Sequence, residues 1–489
     1  MLFMTQLEQR SIAPLATRIT LPTIAAVETW ERFSFYGMQA ILAFYLYATV
    51  TDGGLGMDKT QATALVGAYG SLLYLFTFVG GWVADRVLGA ERTLLTGAAL
   101  LMCGHLALSL IPGYVGLVGG LLPLALGSGL LKTAAITILG AAFPPAAGAR
   151  DGAFQVFYLG INIGAFFGPM LTGWLAQTYT YHVGFLAAAA LMALGCITYG
   201  LLRSRMRSSL DPEVTRFITV PANPIDRGSL VRVAGAALVV LVAALAALAT
   251  GVLTPQRLAL GLLLATVLAA VWLFASMLRS SAVSPAERTR VIAFIPLFLC
   301  STAYWTLQSQ TYGVLAVYSD ERLNRTVGSL TIPAAWTQSL NPLYILVFSI
   351  PLAALLARRA NRGMHRQTLM GGGITLAGAG MFLLLPFVGG GEGSTPFVIL
   401  AGCILAMSLG ELFIGPIGMA ASASHAPQAF ATRFSALYFL TMAIGTSLAG
   451  SLSTLYDPTD ASAERTYILL VGAVPVVLGA ALLLSPKRA

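Results

Sequence analysis

The chain has 489 residues, of which 57% are hydrophobic and 10% are charged, and its formal net charge is +9. A soluble domain carries about 25% charged residues, and a soluble fold cannot keep so much apolar surface away from water. The composition therefore excludes a soluble globular protein and predicts one that lipid surrounds.

Segments that could cross a bilayer recur along the whole chain. A spanning helix needs roughly 20 mostly apolar residues, and fourteen such segments can be counted. They are predicted at 24–49, 61–84, 93–112, 114–143, 152–177, 183–202, 230–250, 257–278, 291–317, 333–357, 367–388, 396–421, 430–454 and 466–484. The predicted fold class is an all-α membrane protein with fourteen transmembrane helices.

The order of these segments divides the chain into three parts. We expect an N-terminal six-helix bundle at 1–202, a cytoplasmic linker with two inserted transmembrane helices at 203–290, and a C-terminal six-helix bundle at 291–489. The inserted helices contain no embedded charge, which predicts spacers on the outside of the bundles. Two halves of this kind are typical of transporters, which bind their solute near the bilayer midplane.

The basic residues predict the orientation in the membrane. With the amino terminus inside, 21 of the 28 Lys and Arg residues lie on the cytoplasmic side and 5 on the opposite side. The positive-inside rule then predicts that both termini are cytoplasmic. This placement accounts for the net charge without nucleic acid as a partner. Residues 1–20 show no cleavable signal peptide.

Five charged residues lie inside predicted spans: Glu28, Glu31 and Arg32 in the first, Lys132 in the fourth, and Glu411 in the tenth of the twelve core helices. A charge at the bilayer centre costs about 2.5–3.5 kcal/mol on insertion scales, so such residues are rare and usually functional. We expect them to face one another, water or a ligand.

The three charges of the first span lie on one helix face, because residues three and four apart are neighbours. Two acids beside one base leave an excess carboxylate, which can take a proton when its surroundings change. This arrangement indicates proton coupling by Glu28 and Glu31, with Arg32 as their partner. The alternative is a static ion cluster that holds helices together.

The remaining charges indicate the solute. Arg32 and Lys132 are fixed cations suited to a carboxylate, and Glu411 is an anion suited to an ammonium group. A zwitterionic solute would satisfy both ends. A di- or tripeptide is the simplest such solute, and an amino acid or another zwitterion is also compatible.

Residues 28–37, ETWERFSFYG, resemble the first-helix signature ExxERFxYYG of the proton-dependent oligopeptide transporter family, in the major facilitator superfamily. Further similar motifs follow in the family's order, at residues 81–89, 127–132, 157–164, 332–342 and 410–416. The two extra helices match the family's bacterial members. The resemblance implies two six-helix bundles and proton-coupled import of di- and tripeptides by alternating access.

The resemblance also implies individual roles. In such transporters the residues matching Arg32, Lys132 and Tyr36 hold the peptide carboxylate, and the tyrosine matching Tyr74 lines the same cavity. The residues matching Asn162, Asn341 and Glu411 hold the amino terminus. The glutamates matching Glu28 and Glu31 serve proton coupling, to which Arg32 and Glu411 are expected to contribute.

Five positions depart from the family pattern: Phe35, Gln39, Thr133, Ser309 and Tyr438. Gln39 and Ser309 stand where an arginine and a glutamate often form a gate. We expect closure at this gate to depend on apolar packing and neutral hydrogen bonds. These departures keep open the alternative of a carrier with the same fold for a non-peptide solute, or of an exporter.

Other readings find little support in the sequence. Residues 127–132 lack the pattern of a phosphate-binding loop. Paired catalytic groups are not evident, so an enzyme is not expected, and single charges in two dissimilar halves do not form the repeated pore-lining segments of a channel. The four cysteines lie in apolar stretches without metal-ligand spacing. We expect no metal and no cofactor. The expected partners are a small-molecule substrate, protons and the lipid bilayer. The protein is expected to function as a monomer.

Overall fold

The computed structural model describes residues 14–143, 150–359 and 366–485. Sixteen α-helices account for most of this described chain. They are α1 (Pro14–Tyr47), α2 (Lys59–Val83), α3 (Ala90–Leu110), α4 (Gly113–Ala142), α5 (Arg150–Thr178), α6 (Tyr181–Ser209), α7 (Pro212–Thr219), α8 (Arg227–Ala249), α9 (Pro255–Arg279), α10 (Pro285–Ser309), α11 (Val314–Glu321), α12 (Leu340–Arg359), α13 (Arg366–Met381), α14 (Phe397–His425), α15 (Ala431–Leu452) and α16 (Ala461–Leu484). The strands are β1 (Leu323–Asn324), β2 (Thr326–Val327), β3 (Leu330–Thr331) and β4 (Thr395–Pro396).

The fourteen predicted spans correspond to helices. Among the described residues, 13 helical segments are long and apolar enough to cross a membrane. The remaining predicted span is α1, which has 34 residues but carries Glu28, Glu31 and Arg32. These charges lower its hydropathy. Helix α1 begins at Pro14, ten residues before the predicted span. Hydropathy identified only the apolar part of this helix and not the more polar turns that precede residue 24. The all-α architecture is confirmed.

The chain packs as two compact units. The first contains Leu75–Thr254 and the residues up to Ile41, and the second contains Leu42–Tyr74 and the residues from Pro255 onward. This division cuts through α1 and α2. The division at 1–202, 203–290 and 291–489 follows the order of the spans along the chain, and it stays a prediction.

In the first unit, two glycines bring α5 against the charged part of α1. A Cβ atom on Gly164 would lie 2.6 Å from the Thr29 carbonyl oxygen, and one on Gly168 would lie 2.5 Å from that of Phe33. Any side chain at either position would therefore force the helices apart. The Thr172 hydroxyl strengthens the contact by donating a hydrogen bond of 2.7 Å to the Gly37 carbonyl. Helix α1 thus packs closely against α5 along the turns that carry its charges.

The polar linker docks onto the same unit. Helix α7 is amphipathic and buries Val214 and Ile218, and it packs against α3 and α4. Beyond it, the Asn223 amide donates to the Asp85 carbonyl over 2.9 Å and the Ile225 amide to the Arg86 carbonyl over 3.0 Å. The segment 212–226 is therefore an ordered part of the first unit.

A buried carboxylate fixes the start of α3 beside the end of α6. Glu91 is fully buried, and Arg203 donates to it over 2.7 Å while Arg207 forms a second ion pair with it. The Tyr199 hydroxyl lies 3.3 Å from the same carboxylate. Two guanidinium groups compensate the desolvation of one acid, which is what a buried charge requires.

The two inserted helices differ in their surroundings. Helix α8 has no buried residue. Helix α9 packs against α15, and Ala259 joins Ala64 and Ala68 of α2 in a small apolar cluster. Helix α9 therefore contributes to the core of the second unit, and the spacer role of the two inserted helices stays a prediction.

The second unit is tied at one end by a buried ion pair. Arg322, next to β1, lies 3.0 Å from Glu464 at the start of α16, and both side chains are buried. Arg322 also donates to the Pro458 carbonyl over 2.6 Å, and the Gly389 amide donates to Glu464 over 2.8 Å. The parallel pairing of β1 with β4 extends this connection. Together these contacts fix the loops that join the helices of this unit.

Candidate functional site

The three charges of α1 form one buried cluster, which we call the α1 triad: Glu28, Glu31 and Arg32. Glu28 and Glu31 are fully buried, and Arg32 is 4% exposed. Arg32 pairs with Glu31 through Nε and donates to it from Nη2 over 2.8 Å. Its Nε lies 3.3 Å from Glu28 Oε1. The predicted sharing of one helix face is confirmed.

Glu28 and Glu31 differ in their hydrogen bonds. Glu31 accepts two from Arg32 and one from the Ser128 hydroxyl, at 3.3 Å. Neither carboxylate oxygen of Glu28 accepts a hydrogen bond from the residues that the structure describes. Its only charged contact at ion-pair distance within the described chain is the 3.3 Å approach of Arg32. Glu28 is therefore the less stabilised carboxylate of the two.

Helix α4 contributes two side chains to this cluster, one turn apart. Arg32 donates to the Ser128 hydroxyl over 3.2 Å. Lys132, four residues later, lies close enough to interact electrostatically with all three members of the α1 triad. The first unit therefore holds a second cation near the α1 triad, while the ion pairs recorded for Glu28 and Glu31 among the described residues are those with Arg32.

Three further predicted site residues lie in this unit. The Arg32 guanidinium carbon lies 5.9 Å from the ring centroid of Tyr36, which is a cation–π distance. Asn162 of α5 is buried, and its amide donates to the Tyr158 carbonyl over 2.9 Å on the same helix. Gln39 is buried two turns beyond Arg32 on α1.

Glu411 is the centre of a polar cluster in the second unit. The Asn341 amide of α12 lies 2.9 Å from Glu411 Oε2, and also 2.9 Å from the Ser408 hydroxyl. The hydroxyl of Tyr304 on α10 lies 3.3 Å from the same carboxylate oxygen. The structure therefore brings Asn341 and Glu411 together, as expected. Their neighbours are neutral hydrogen-bond donors.

Two remaining predicted residues also lie in the second unit. Tyr74 is half-buried on α2. Ser309 is the last residue of α10, and its hydroxyl donates to the Trp305 carbonyl over 2.6 Å on its own helix. The proposed gate role of Gln39 and Ser309 stays a prediction.

Sequence reasoning missed several members of these clusters. Ser128 lies one turn before Lys132 and so shares its helix face, which is a signal that the sequence contains. Tyr304 and Ser408 are neutral partners of Glu411 and Asn341. Neutral residues inside apolar spans produce no hydropathy anomaly, so only the fold identifies them.

Charged contacts also occur near one end of the second unit. Lys59, at the start of α2, forms an ion pair with Glu321 at the end of α11. The Tyr47 hydroxyl donates to Asp320 over 2.8 Å, and Arg325 lies 3.2 Å from the same carboxylate. By chain order these contacts join the first two helices to residues of the C-terminal predicted half.

Comparison with known proteins gives consistent matches over nearly the whole chain. The model of the POT family matches residues 91–469. A di-/tripeptide transporter of Lactococcus lactis subsp. cremoris is 33% identical over 482 residues, covering 96% of this chain and 95% of that protein.

Solved structures agree with this match. A peptide transporter POT in complex with sulfate superposes with a TM-score of 0.88 at 33% identity and covers 95% of this chain and 93% of its own. A POT family transporter in complex with 5-aminolevulinic acid gives a TM-score of 0.86 at 32% identity and covers 95% of each chain.

Proposed function

Because this chain belongs to the POT family of membrane transporters, we propose that it imports di- and tripeptides together with protons by alternating access. The observation that carries the proposal is the α1 triad, in which two fully buried acids share one guanidinium. A buried carboxylate without sufficient compensation is a group that binds a proton reversibly.

The carboxylate of the solute would bind at the cationic side of the first unit. Arg32 and Lys132 supply the charge, and Tyr36 lies against the guanidinium. A bound solute carboxylate competes with Glu28 and Glu31 for the two cations. The ionised form of these glutamates is then less stabilised, and proton binding becomes more favourable. Solute binding and proton binding are then linked through shared cations, as a symporter requires.

The ammonium group of the solute would bind at Glu411. Asn341 fixes the carboxylate by a bond of 2.9 Å, and Tyr74 and Asn162 are proposed to line the path of the peptide. Glu411 forms no ion pair with any charged side chain of residues 14–143, 150–359 and 366–485. A ligand cation is therefore a suitable counterion.

Glu28 is the proposed proton carrier within the triad. Its two oxygens receive no hydrogen bond from the described part of the chain, whereas Glu31 accepts three. Hydrogen bonds to an ionised carboxylate favour the charged form, so Glu31 remains the counterion of Arg32. Glu411 is a second candidate for the proton.

The orientation proposed from the basic residues places both termini in the cytoplasm of a bacterial cell, with the transporter in the inner membrane and functional as a monomer. The ordered linker 212–226 would then lie on the cytoplasmic side.

A proteoliposome assay tests the function. Purified protein with an inward proton gradient should accumulate labelled dialanine above its external concentration, and a protonophore should abolish the accumulation. Equal uptake with and without the gradient would contradict proton coupling, and lack of any saturable uptake would contradict peptide transport.

A carrier for another zwitterion is the second candidate. Tyr438 stands where the family often has a pocket tryptophan, and its hydroxyl is engaged by a 3.0 Å bond to the Gly415 carbonyl. A smaller ring at this position changes the space offered to a side chain. A solute panel in the same assay, with 5-aminolevulinic acid beside dialanine and trialanine, separates the two candidates by their half-saturation concentrations.

A further inference from the structure

The hydroxyl of Tyr304 has more acceptors within reach than it can serve. Its ring is fully buried on α10. The oxygen lies 3.0 Å from the Met407 carbonyl, 3.3 Å from Glu411 Oε2 and 3.3 Å from Gln308 Oε1. A phenol has one hydrogen to donate. Only one of the three acceptors can therefore receive a full hydrogen bond at a given moment.

The acceptors differ in what they gain from that hydrogen. The Met407 carbonyl lies within α14, where the helix supplies a backbone donor four residues later. Glu411 is charged when it is ionised, and hydrogen bonds to a charged acceptor are roughly twice as strong as neutral ones. An ionised Glu411 therefore attracts the Tyr304 hydrogen, whereas the 3.0 Å distance favours the Met407 carbonyl once the carboxylate is protonated.

The same carboxylate oxygen also receives the Asn341 amide over 2.9 Å. Among the described residues, the recorded hydrogen bonds of Glu411 all reach Oε2. Oε1 is thereby available to a ligand while Oε2 is held on two sides, from α10 and α12. This geometry orients the carboxylate before the ligand arrives, which reduces the entropy lost on binding.

Resting on the proposed assignment of Glu411 to the solute ammonium, we propose that Tyr304 is a positioning residue that determines the affinity for free-amino solutes. Its hydroxyl donates to Glu411 Oε2 and keeps the carboxylate ionised and oriented, so that Oε1 can pair with the ammonium group of the solute. Tyr304 thereby selects for solutes with a free amino group without contacting the amino group itself.

The test compares Tyr304→Phe with Tyr344→Phe. Both changes remove one hydroxyl and keep the ring, and the Tyr344 hydroxyl donates only to the Ala401 carbonyl, at 3.3 Å, among the bonds recorded for it. Binding of dialanine and of N-acetyl-dialanine is measured by calorimetry on purified protein. Tyr304→Phe should weaken dialanine binding about tenfold, the size expected for a charge-assisted bond, and should change N-acetyl-dialanine binding less than about twofold. Tyr344→Phe should change neither.

A double-mutant cycle with Glu411→Gln excludes a merely structural effect. If Tyr304 acts through Glu411, Tyr304→Phe should have little further effect in the Glu411→Gln background. Equal losses for both ligands, or the same loss with and without Glu411, would overturn the proposal. Absence of dialanine binding to the wild type would instead contradict the proposed function. Thermal unfolding of each variant verifies that it is folded.

Discussion

At the scale of single residues, the structure separates two glutamates that the sequence treats alike. Glu28 and Glu31 both stand within one turn of Arg32, and hydropathy identifies both as anomalies. Their difference arises from Ser128 of α4 and from the direction of the guanidinium, which bonds Glu31. The spacing of residues along a helix predicts which side chains share a face, but hydrogen bonds between helices depend on the tertiary packing.

This difference predicts different phenotypes for two similar substitutions. Glu28→Gln should abolish proton-driven uptake and spare exchange of labelled for unlabelled dialanine, because it removes the proton site but leaves Arg32 paired with Glu31. Glu31→Gln should impair both activities, since it leaves Arg32 with one poorly bonded acid; breaking a buried pair costs about 3–5 kcal/mol. Both activities are measured in the same liposomes. Identical phenotypes would contradict the assignment of the proton to Glu28.

Lys132 is expected to bind the solute carboxylate. Lys132→Ala should weaken dialanine binding by about 2–5 kcal/mol, the cost of truncating one partner of a buried charge pair. Arg257→Ala removes an exposed cation near the start of α9 and should leave binding unchanged. Calorimetry on both variants gives the comparison, and near-normal binding to Lys132→Ala would refute the carboxylate site.

At the scale of the elements, the length of the apolar segments predicts the spanning helices well, and it fails in the polar segments. The predicted spans all appear as helices because a lipid-facing backbone must satisfy its own hydrogen bonds. The linker 203–229 gave no such signal. Its order depends on Val214 and Ile218, two apolar residues in a polar stretch, and on backbone bonds to the turn after α2.

Gly89 provides a test of this docking. Its φ is +78°, and a Cβ atom there would lie 2.8 Å from the Thr219 carbonyl. Gly53 has a similar φ of +82° and open space around it, but its ψ is 14° and that of Gly89 is 158°, so Gly53→Ala gives the cost of an ordinary left-handed residue, about 1–2 kcal/mol. Gly89→Ala should destabilise the protein more than Gly53→Ala does and should increase hydrogen exchange at 212–226. Equal exchange in the two variants would show that the linker does not depend on this contact.

At the scale of the whole molecule, chain order and packing divide the protein differently. The sequence predicts six, two and six helices, whereas the compact units divide within α1 and α2. The order of the spans along the chain cannot show where the compact units divide. The contacts of Tyr47 with Asp320 and of Lys59 with Glu321 join residues that are far apart in sequence, and they exist only in the folded protein.

The proposed topology has a direct test. In a cysteine-free background, Glu392→Cys should react with an impermeant maleimide added outside cells, and Asn223→Cys in the docked linker should react only after permeabilisation. The expectation follows from the uneven distribution of arginine. The opposite pattern would reverse the orientation, and labelling of both from outside would contradict the span count.

The contact between Lys59 and Glu321 predicts an effect on the transport cycle. Both residues lie in the second compact unit, but by chain order they belong to the two predicted halves, and we expect movement of these halves in an alternating-access cycle to break the pair. Both side chains are partly exposed, by 43% and 25%, and an exposed pair contributes only about 0.2–1 kcal/mol. Loss of the pair should therefore change the rate modestly and leave the fold intact.

A charge exchange measures this contribution most sharply. Lys59→Gln and Glu321→Gln should each change maximal dialanine uptake by less than about fivefold, the factor that 1 kcal/mol allows. Lys59→Glu should have a larger effect, because it places two acids together beside Asp320. The double variant Lys59→Glu with Glu321→Lys restores an ion pair of opposite polarity and should recover uptake to within about twofold of the wild type, a coupling that a double-mutant cycle quantifies.

Ser309→Ala serves as the control, since its hydroxyl bonds only within α10 among the contacts recorded for it, and it should change uptake little. A double variant no better than Lys59→Glu alone would show that the pair does not control the cycle.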